Sequence, residues 1–410
     1  MKSNASLGLT LVAILLGGLL LTACGDATIT PNPPGNSPVS ATSTPVPAIR
    51  PSPTTAPPTQ LKVVSVDELT LPTNGTAYLS PDGKLIAWIS SKELCLYTST
   101  GQKQNCITDK VIDDSSVRWS PDSTHLVFTE DFYRNRAEPD IWVMEAAKGT
   151  LSDLTEDGQS GFIKFDALDK AESIDLLPSW SADSKSILFI RYRNGEKVII
   201  LDLYTVTADG KSKAVKVGEL NSYHNETSGL ILAPDSKKIA YSKGFDNTEK
   251  EPGIWLADLS GKNPKRLLKE YENNPSLGQF SYFDIEYSAD GKYILGINFA
   301  AQGLSQTYEA NSNSRVAAID SSGEFEVASD KQAWWAGWSP KGSALIYLVY
   351  DKEKNGLLLY MVDKPGSIGR AIYDQPLKPY PTRFRGLSWA ANNTLLAMNR
   401  DNKAVLLHLG

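Results

Sequence analysis

The chain is poor in the residues on which most metal and hydrolytic sites are built. It has three His in 410 residues, His125 just after a turn, His224 in a loop and His408 in the last apolar segment. That scatter excludes a multi-histidine metal centre, and no metal or cofactor is expected. Three Cys are too few for a disulfide-built scaffold. Lys and Arg number 41 against 47 Asp and Glu, a net charge of -6 with no basic run, which excludes a nucleic-acid surface. There is no G-x-S-x-G elbow, no H-E-x-x-H, no G-x-x-x-x-G-K and no EF-hand loop.

What the chain has in quantity is one short turn. It reads S-P-D-G at Ser80 to Gly83, S-P-D-S at Ser120 to Ser123 and S-A-D-S at Ser181 to Ser184. It returns as A-P-D-S at Ala233 to Ser236, S-A-D-G at Ser288 to Gly291, S-P-K-G at Ser339 to Gly342 and a degraded A-A-N-N at Ala390 to Asn393. Pro presets φ at the second position, Asp folds its carboxylate onto the following amides, and Gly or Ser completes the reversal. Apolar, β-branched and aromatic residues lie on both sides, as in Ala77 to Ser90, so each turn reads as a hairpin. Each hairpin is followed by a third strand, such as Leu94 to Thr98 or Gly356 to Val362. In the first six units a short fourth strand comes next.

Four antiparallel strands every 40 to 61 residues is the period of a propeller blade. The seventh unit stops after its third strand, Ala404 to Leu409, while Leu61 to Leu69 is a strand with no hairpin partner beside it. That strand can supply the missing fourth, leaving no bare sheet edge. The expected fold is all-β, a seven-bladed β-propeller over 61–410 with four-stranded antiparallel blades, closed by the N-terminal strand. From about Leu61 onward the S-P-D-G repeats resemble those of the TolB-like, WD-repeat-like β-propellers. The resemblance implies the fold and leaves activity open, since such blades occur in binding proteins, in the non-catalytic domain of prolyl peptidases and in lyases.

Lys2 precedes an apolar run from Leu7 to Leu21 that ends in Leu21-Thr22-Ala23-Cys24. The run is short for a permanent span and reads as a signal peptide over 1–23. Leu-Thr-Ala-Cys is similar to the bacterial lipobox, which implies cleavage before Cys24 and lipid on its thiol. Residues Ala27 to Gln60 hold 10 Pro and 11 Ser or Thr in 34 residues, with no aromatic residue and only Arg50 charged. Such a segment cannot pack a core and favours polyproline II, a spacer of up to ~100 Å at ~3.1 Å per residue. The expected organisation is signal peptide, then a lipidated Cys and disordered linker over 24–60, then the propeller, as a monomer outside the cytoplasm on the cell envelope.

The loops leading into each first strand are where a propeller gathers ligand-facing residues. Just upstream of the turns lie Asp113 and Asp114, Asp175, His224 and Glu226, Tyr282 and Asp284, Trp334 and Trp335, and Arg383 and Arg385. Carboxylates suit a cation, paired Trp a sugar or peptide, paired Arg an anion; the plainer reading is of polar loop ends and inter-blade packing. Two long insertions, Asp131 to Pro139 and Glu156 to Leu176, are further candidates for partner contact or are solvated loops. These residues fit a module that binds an envelope protein, peptide or glycan and performs no chemistry. The alternative is a polysaccharide lyase or glycosidase using a carboxylate pair such as Asp175 with Glu226 or Asp114 with Asp284. A third reading is a structural envelope protein whose faces bind nothing small.

Exported chains form disulfides, and Cys95 and Cys106 lie on either side of a reversal near Thr100-Gly101, so a bridge is expected, with two unpaired thiols as the alternative. Cys106→Ser is then expected to lower the melting temperature and to abolish the mobility difference between reduced and non-reduced protein on a gel. A bridge closing a loop this short contributes about 3 kcal/mol.

Overall fold

The second strand of each repeat is apolar without alternation because both of its faces are covered. In Ser186–Asn194, Ile187 and Phe189 pack into one core with Val127, Ile141 and Trp180. The next residues along, Leu188 and Ile190, pack into another with Leu230, Ile239 and Tyr241. A run of this kind marks a strand buried on both sides.

The computed structural model describes residues 60–72, 75–90, 92–131, 139–156, 174–194, 199–220, 227–243, 253–267, 282–298, 315–319, 324–326, 335–377, 387–398 and 403–410, all within one compact unit, Thr59–Gly410. Among them 28 strands form seven four-stranded sheets, with every recorded pairing antiparallel. In six sheets, numbered along the chain, the strands run in chain order; sheet one is Thr76–Leu79, Leu85–Ile89, Leu94–Thr98 and Lys103–Ile107, and sheets two to six begin with Arg118–Trp119, Ile174–Trp180, Thr227–Leu232, Tyr282–Tyr287 and Trp335–Trp338. In the seventh, Val63–Thr70 lies beside Lys403–Leu409, followed by Thr394–Met398 and Ser388–Trp389. Lys62 and Gly410 exchange backbone hydrogen bonds of 3.1 and 3.0 Å, and His408 Nε2 lies 2.9 Å from Asp67 Oδ2.

Apolar cores lie between consecutive sheets. Sheet seven also shares one with sheet one, where Leu396 and Leu406 meet Ala77, Leu79 and Trp88. Indole nitrogens tie neighbours together: Trp119 Nε1 donates to the Tyr78 carbonyl, Trp180 to Arg118 and Trp338 to Glu286, each at 3.1 Å. The donor is the residue immediately before the turn, and the acceptor is two residues before the preceding sheet's turn. Cys95 and Cys106 are register partners on the third and fourth strands of sheet one and are joined by a disulfide, Cα–Cα 4.1 Å.

The repeated turn is held by one internal network. Ser80 Oγ donates to Asp82 Oδ1 at 2.7 Å and accepts from the Leu85 amide at 3.0 Å, while Asp82 Oδ1 accepts from the Lys84 amide at 3.1 Å. The pattern returns at Ser120, Ser181 and Ser288. At the degraded turn Asn392 Oδ1 takes the Thr394 amide in place of Asp. The Ser181 hydroxyl and the Lys185 amide hold the Asp183 carboxyl below its ordinary value.

The fourth turn position is left-handed in all seven turns: φ is 76° at Gly83, 65° at Ser123, 61° at Ser184, 56° at Ser236, 69° at Gly291, 74° at Gly342 and 62° at Asn393. This is a type I turn followed by a left-handed residue. A side chain there costs about 1–2 kcal/mol. Ser123 and Ser184 return some of that cost by linking turns, since Ser123 Oγ accepts the Asp82 amide at 3.0 Å and Ser184 Oγ the Asp122 amide at 3.1 Å.

These opposing terms make a prediction. Ser123→Ala keeps the left-handed cost and loses the bond between turns, a loss of about 1 kcal/mol. Ser123→Gly loses the same bond but relieves the backbone, so it should unfold in urea at a midpoint close to wild type and above that of Ser123→Ala. The reverse order would remove the backbone from the explanation.

Candidate functional site

In each sheet the tight turn joins the end of the first strand to the start of the second. The start of the first strand, the end of the second, the start of the third and the end of the fourth therefore share the opposite end of the sheet. At that end of sheets two and three the structure buries a group of charges. Asp113, Asp131, Asp140 and Asp175 are respectively 9%, 2%, 3% and 1% exposed.

Asp175, near the start of Ile174–Trp180, is the register partner of Arg191 on Ser186–Asn194. Arg191 Nε and Nη2 donate to the two Asp175 oxygens at 2.7 and 2.6 Å, and the guanidinium lies 4.7 Å from the centre of the Tyr204 ring. Burial pushes the Asp175 carboxyl up, and the Arg191 pair acts against it without cancelling it. Across the strand, Asp202 is register partner to Arg191 and lies 2.8 Å from Lys216 Nζ.

Sheet two contributes a second set of carboxyls. Asp140 immediately precedes Ile141–Glu145, and Asp153 ends Leu151–Asp153. The Thr155 hydroxyl donates to Asp140 Oδ1 at 3.0 Å and accepts the Ile141 amide at 2.9 Å, while the Thr155 amide donates to Asp153 Oδ1 at 3.1 Å. Burial, then the neighbouring Asp140 charge, push the Asp153 carboxyl up to about 7.

Of the residues singled out from the sequence, the described ones fall into two roles. Asp113 Oδ1 takes the Ser115 amide at 2.9 Å and the Ser115 hydroxyl at 2.6 Å, and burial pushes its carboxyl up against those bonds. Asp114 Oδ2 accepts the Thr76 hydroxyl at 3.2 Å and its carbonyl accepts Tyr78 OH at 3.0 Å, joining sheets one and two. Asp113 and Asp175 are thus buried, with carboxyls bonded to Ser115 and Arg191 respectively. Asp114 is partly exposed. Cys24, His224, Glu226, Trp334, Arg383 and Arg385 lie outside the described residues, and so do the side chains of Tyr282, Asp284 and Trp335.

Counting back from the turn did not reach Asp140, Asp153, Thr155 or Arg191. Their signal was position: Asp131, Asp140 and Glu156 border the two long insertions. Among the described residues the group of His, Cys and carboxylates close enough to share an ion is Glu93, Cys95 and Cys106, and its two sulfurs are bonded to each other.

No protein-family model matches the chain. The Tol-Pal system protein TolB of Francisella tularensis subsp. tularensis (strain WY96-3418) is 25% identical over 216 residues, 52% of this chain and 43% of that protein. The chain thus matches less than half the length of that relative. Among solved structures, an oligogalacturonate lyase in complex with manganese aligns with TM-score 0.55 at 11% identity, over 86% of this chain and 98% of that one. The oligogalacturonate lyase of Vibrio parahaemolyticus aligns with TM-score 0.53 at 10% identity, over 85% and 98%. With the sheet topology, these show a β-propeller fold, and about half of the chain is similar in sequence to TolB. They also correct the expectation that it performs no chemistry, because enzymes are built on this same architecture.

The buried pair gives a stability prediction. Arg191→Met leaves the Asp175 carboxyl buried without its cation and should cost about 3 kcal/mol in urea unfolding. The double change Asp175→Leu with Arg191→Met should cost less than Arg191→Met alone. Equal or greater loss in the double variant would show that shape, not charge, sets the cost.

Proposed function

We propose that this chain is a lipid-anchored binding or scaffold module of the bacterial cell envelope. In this reading residues 1–23 are removed, Cys24 carries lipid, 24–60 form a stalk, and 61–410 form a seven-bladed ring closed by Val63–Thr70. The partner is an envelope protein, peptide or glycan. The observation that carries it is the placement of the two long insertions. The described residues that flank them, Asp131 and Pro139 on one side and Glu156 and Ile174 on the other, lie at strand ends opposite the turns. Their bases are fixed by buried hydrogen bonds, and loops on a rigid scaffold are where binding concentrates. The similarity to a Tol-Pal system protein supports an envelope setting.

A second reading is favoured by the two lyase structures. In that case Asp114 and Asp284 are the carboxylates to consider, since Asp175 is committed to Arg191.

The test is crosslinking and capture from the native cells with the full-length protein. Binding predicts a partner that is lost on deleting 132–138 or on changing Trp334 and Trp335 to Ala, with Cys24→Ser releasing the protein from membranes. Recovery of the same partners by all variants would remove the loop face from the account. Incubation with oligogalacturonate and manganese decides the second reading: an unsaturated product that disappears in Asp114→Asn would replace binding with elimination.

A further inference from the structure

Glu93, Cys95 and Cys106 bring three ligand atoms within 4.8 Å of one another, at the end of sheet one opposite its turn. Strand register puts them there. Cys95 on Leu94–Thr98 and Cys106 on Lys103–Ile107 are directly paired, with Cα atoms 4.1 Å apart, so both sulfurs leave the same face of the sheet. Glu93, two residues before Cys95, reaches over that face and sets its Oε2 3.6 Å from Cys95 Sγ. The Ser90 amide donates to the Glu93 carbonyl at 2.8 Å, which anchors the backbone from which the carboxylate projects. In the disulfide each sulfur is committed to the other; in the dithiol both are free to take a metal.

We propose that reduction of the Cys95–Cys106 bridge uncovers a zinc site, with the two thiolates and the Glu93 carboxylate as protein ligands and the fourth position open to solvent. The reductant is a dithiol and the step is thiol–disulfide exchange. A thiolate of the reductant attacks Cys106 Sγ, which is half-buried, whereas Cys95 is 0% exposed. The bond between the two sulfurs breaks, and Cys95 leaves and takes up a proton. The second thiol of the reductant then displaces Cys106, so two electrons and two protons pass to the protein and the reductant becomes a disulfide. Zn²⁺ replaces those two protons when it binds.

The donor set and its spacing suit zinc. Zn–S of about 2.3 Å and Zn–O of about 2.0 Å at the tetrahedral angle separate a sulfur ligand from an oxygen ligand by about 3.5 Å. Cys95 Sγ and Glu93 Oε2 already stand 3.6 Å apart. The same geometry sets two sulfurs about 3.8 Å apart. Once released from each other, the Cys side chains reach that separation by rotation about Cα–Cβ, because their backbones are paired neighbours. Two thiolates favour zinc over calcium or magnesium, which take oxygen ligands. Burial acts in the same direction, since Cys95 packs among Leu69, Ala77 and Trp88, where a thiolate is costly unless a cation meets it. The site stands whatever the loop face binds.

Zinc titration of the full-length chain carrying Cys24→Ser, which leaves these two Cys as its only ones, tests the site. Oxidised and dithiol-reduced protein are compared without oxygen, in competition with a chromophoric chelator, after melting curves have established the folded state of each. The reduced chain is expected to bind one Zn²⁺ and to melt at a higher temperature with zinc than without it, and the oxidised chain to bind none. Cys106→Ser should abolish binding. Glu93→Gln should weaken it by more than about tenfold, since even a partner outside the ligand set is worth that much. A folded reduced chain that binds no zinc, or equal affinity in Glu93→Gln, overturns the proposal. Equal binding by the oxidised chain does so too, because it places the ion elsewhere. Unfolding on reduction also overturns it, since the three ligands are then never held together.

Discussion

A sheet with two apolar faces cannot stand alone, and that constraint organises the rest of this structure. Leu188 and Ile190 of one strand need sheet four, and Ile187 and Phe189 need sheet two. Leu395 and Leu396 divide in the same way between sheets six and one. Every sheet so built requires a neighbour on each side, and the arrangement that gives each one both neighbours is a closed ring. The proposed ring is thus a consequence of burial more than of any single bond. The Trp119, Trp180 and Trp338 indoles then tie neighbouring sheets together by donating to a backbone carbonyl of the preceding sheet.

The repeated turn serves this arrangement instead of function. Its Ser and Asp close the local hydrogen bonds, and its left-handed fourth residue carries a backbone cost that Gly avoids and that Ser123 and Ser184 offset through the next turn. With the turns fixed at one end of each sheet, variation is left to the other end. There the described strands bury carboxyls whose burial is tolerated because Arg191, Ser115 or Thr155 meets them.

Much of the fold was legible because the turn is a local signal. Ser80, Pro81, Asp82 and Gly83 need only each other, so seven copies could be counted without knowing any long-range contact. The strand at Val63–Thr70 could be paired because the last unit lacked one. The site was less legible. Asp113 and Asp175 were placed at the correct end of their strands, but their inward orientation depends on partners: Ser115, two residues away, and Arg191, sixteen residues later and on another strand. Asp140 and Asp153 are separated by a strand pair and look like ordinary loop acids until the register brings them together. Composition and spacing carry no information of that kind.

The central claim is that burial on both sides closes the sheets into one cooperative unit. It is tested most directly by equilibrium unfolding of the full chain beside a form lacking Val63–Thr70, with an apolar dye as a second probe. The account predicts one transition for the full chain. Without the strand it predicts a lower midpoint and dye binding under native conditions, as the face carrying Leu69's neighbours Ala404 and Leu406 opens to water. An unchanged midpoint with no dye binding would contradict it.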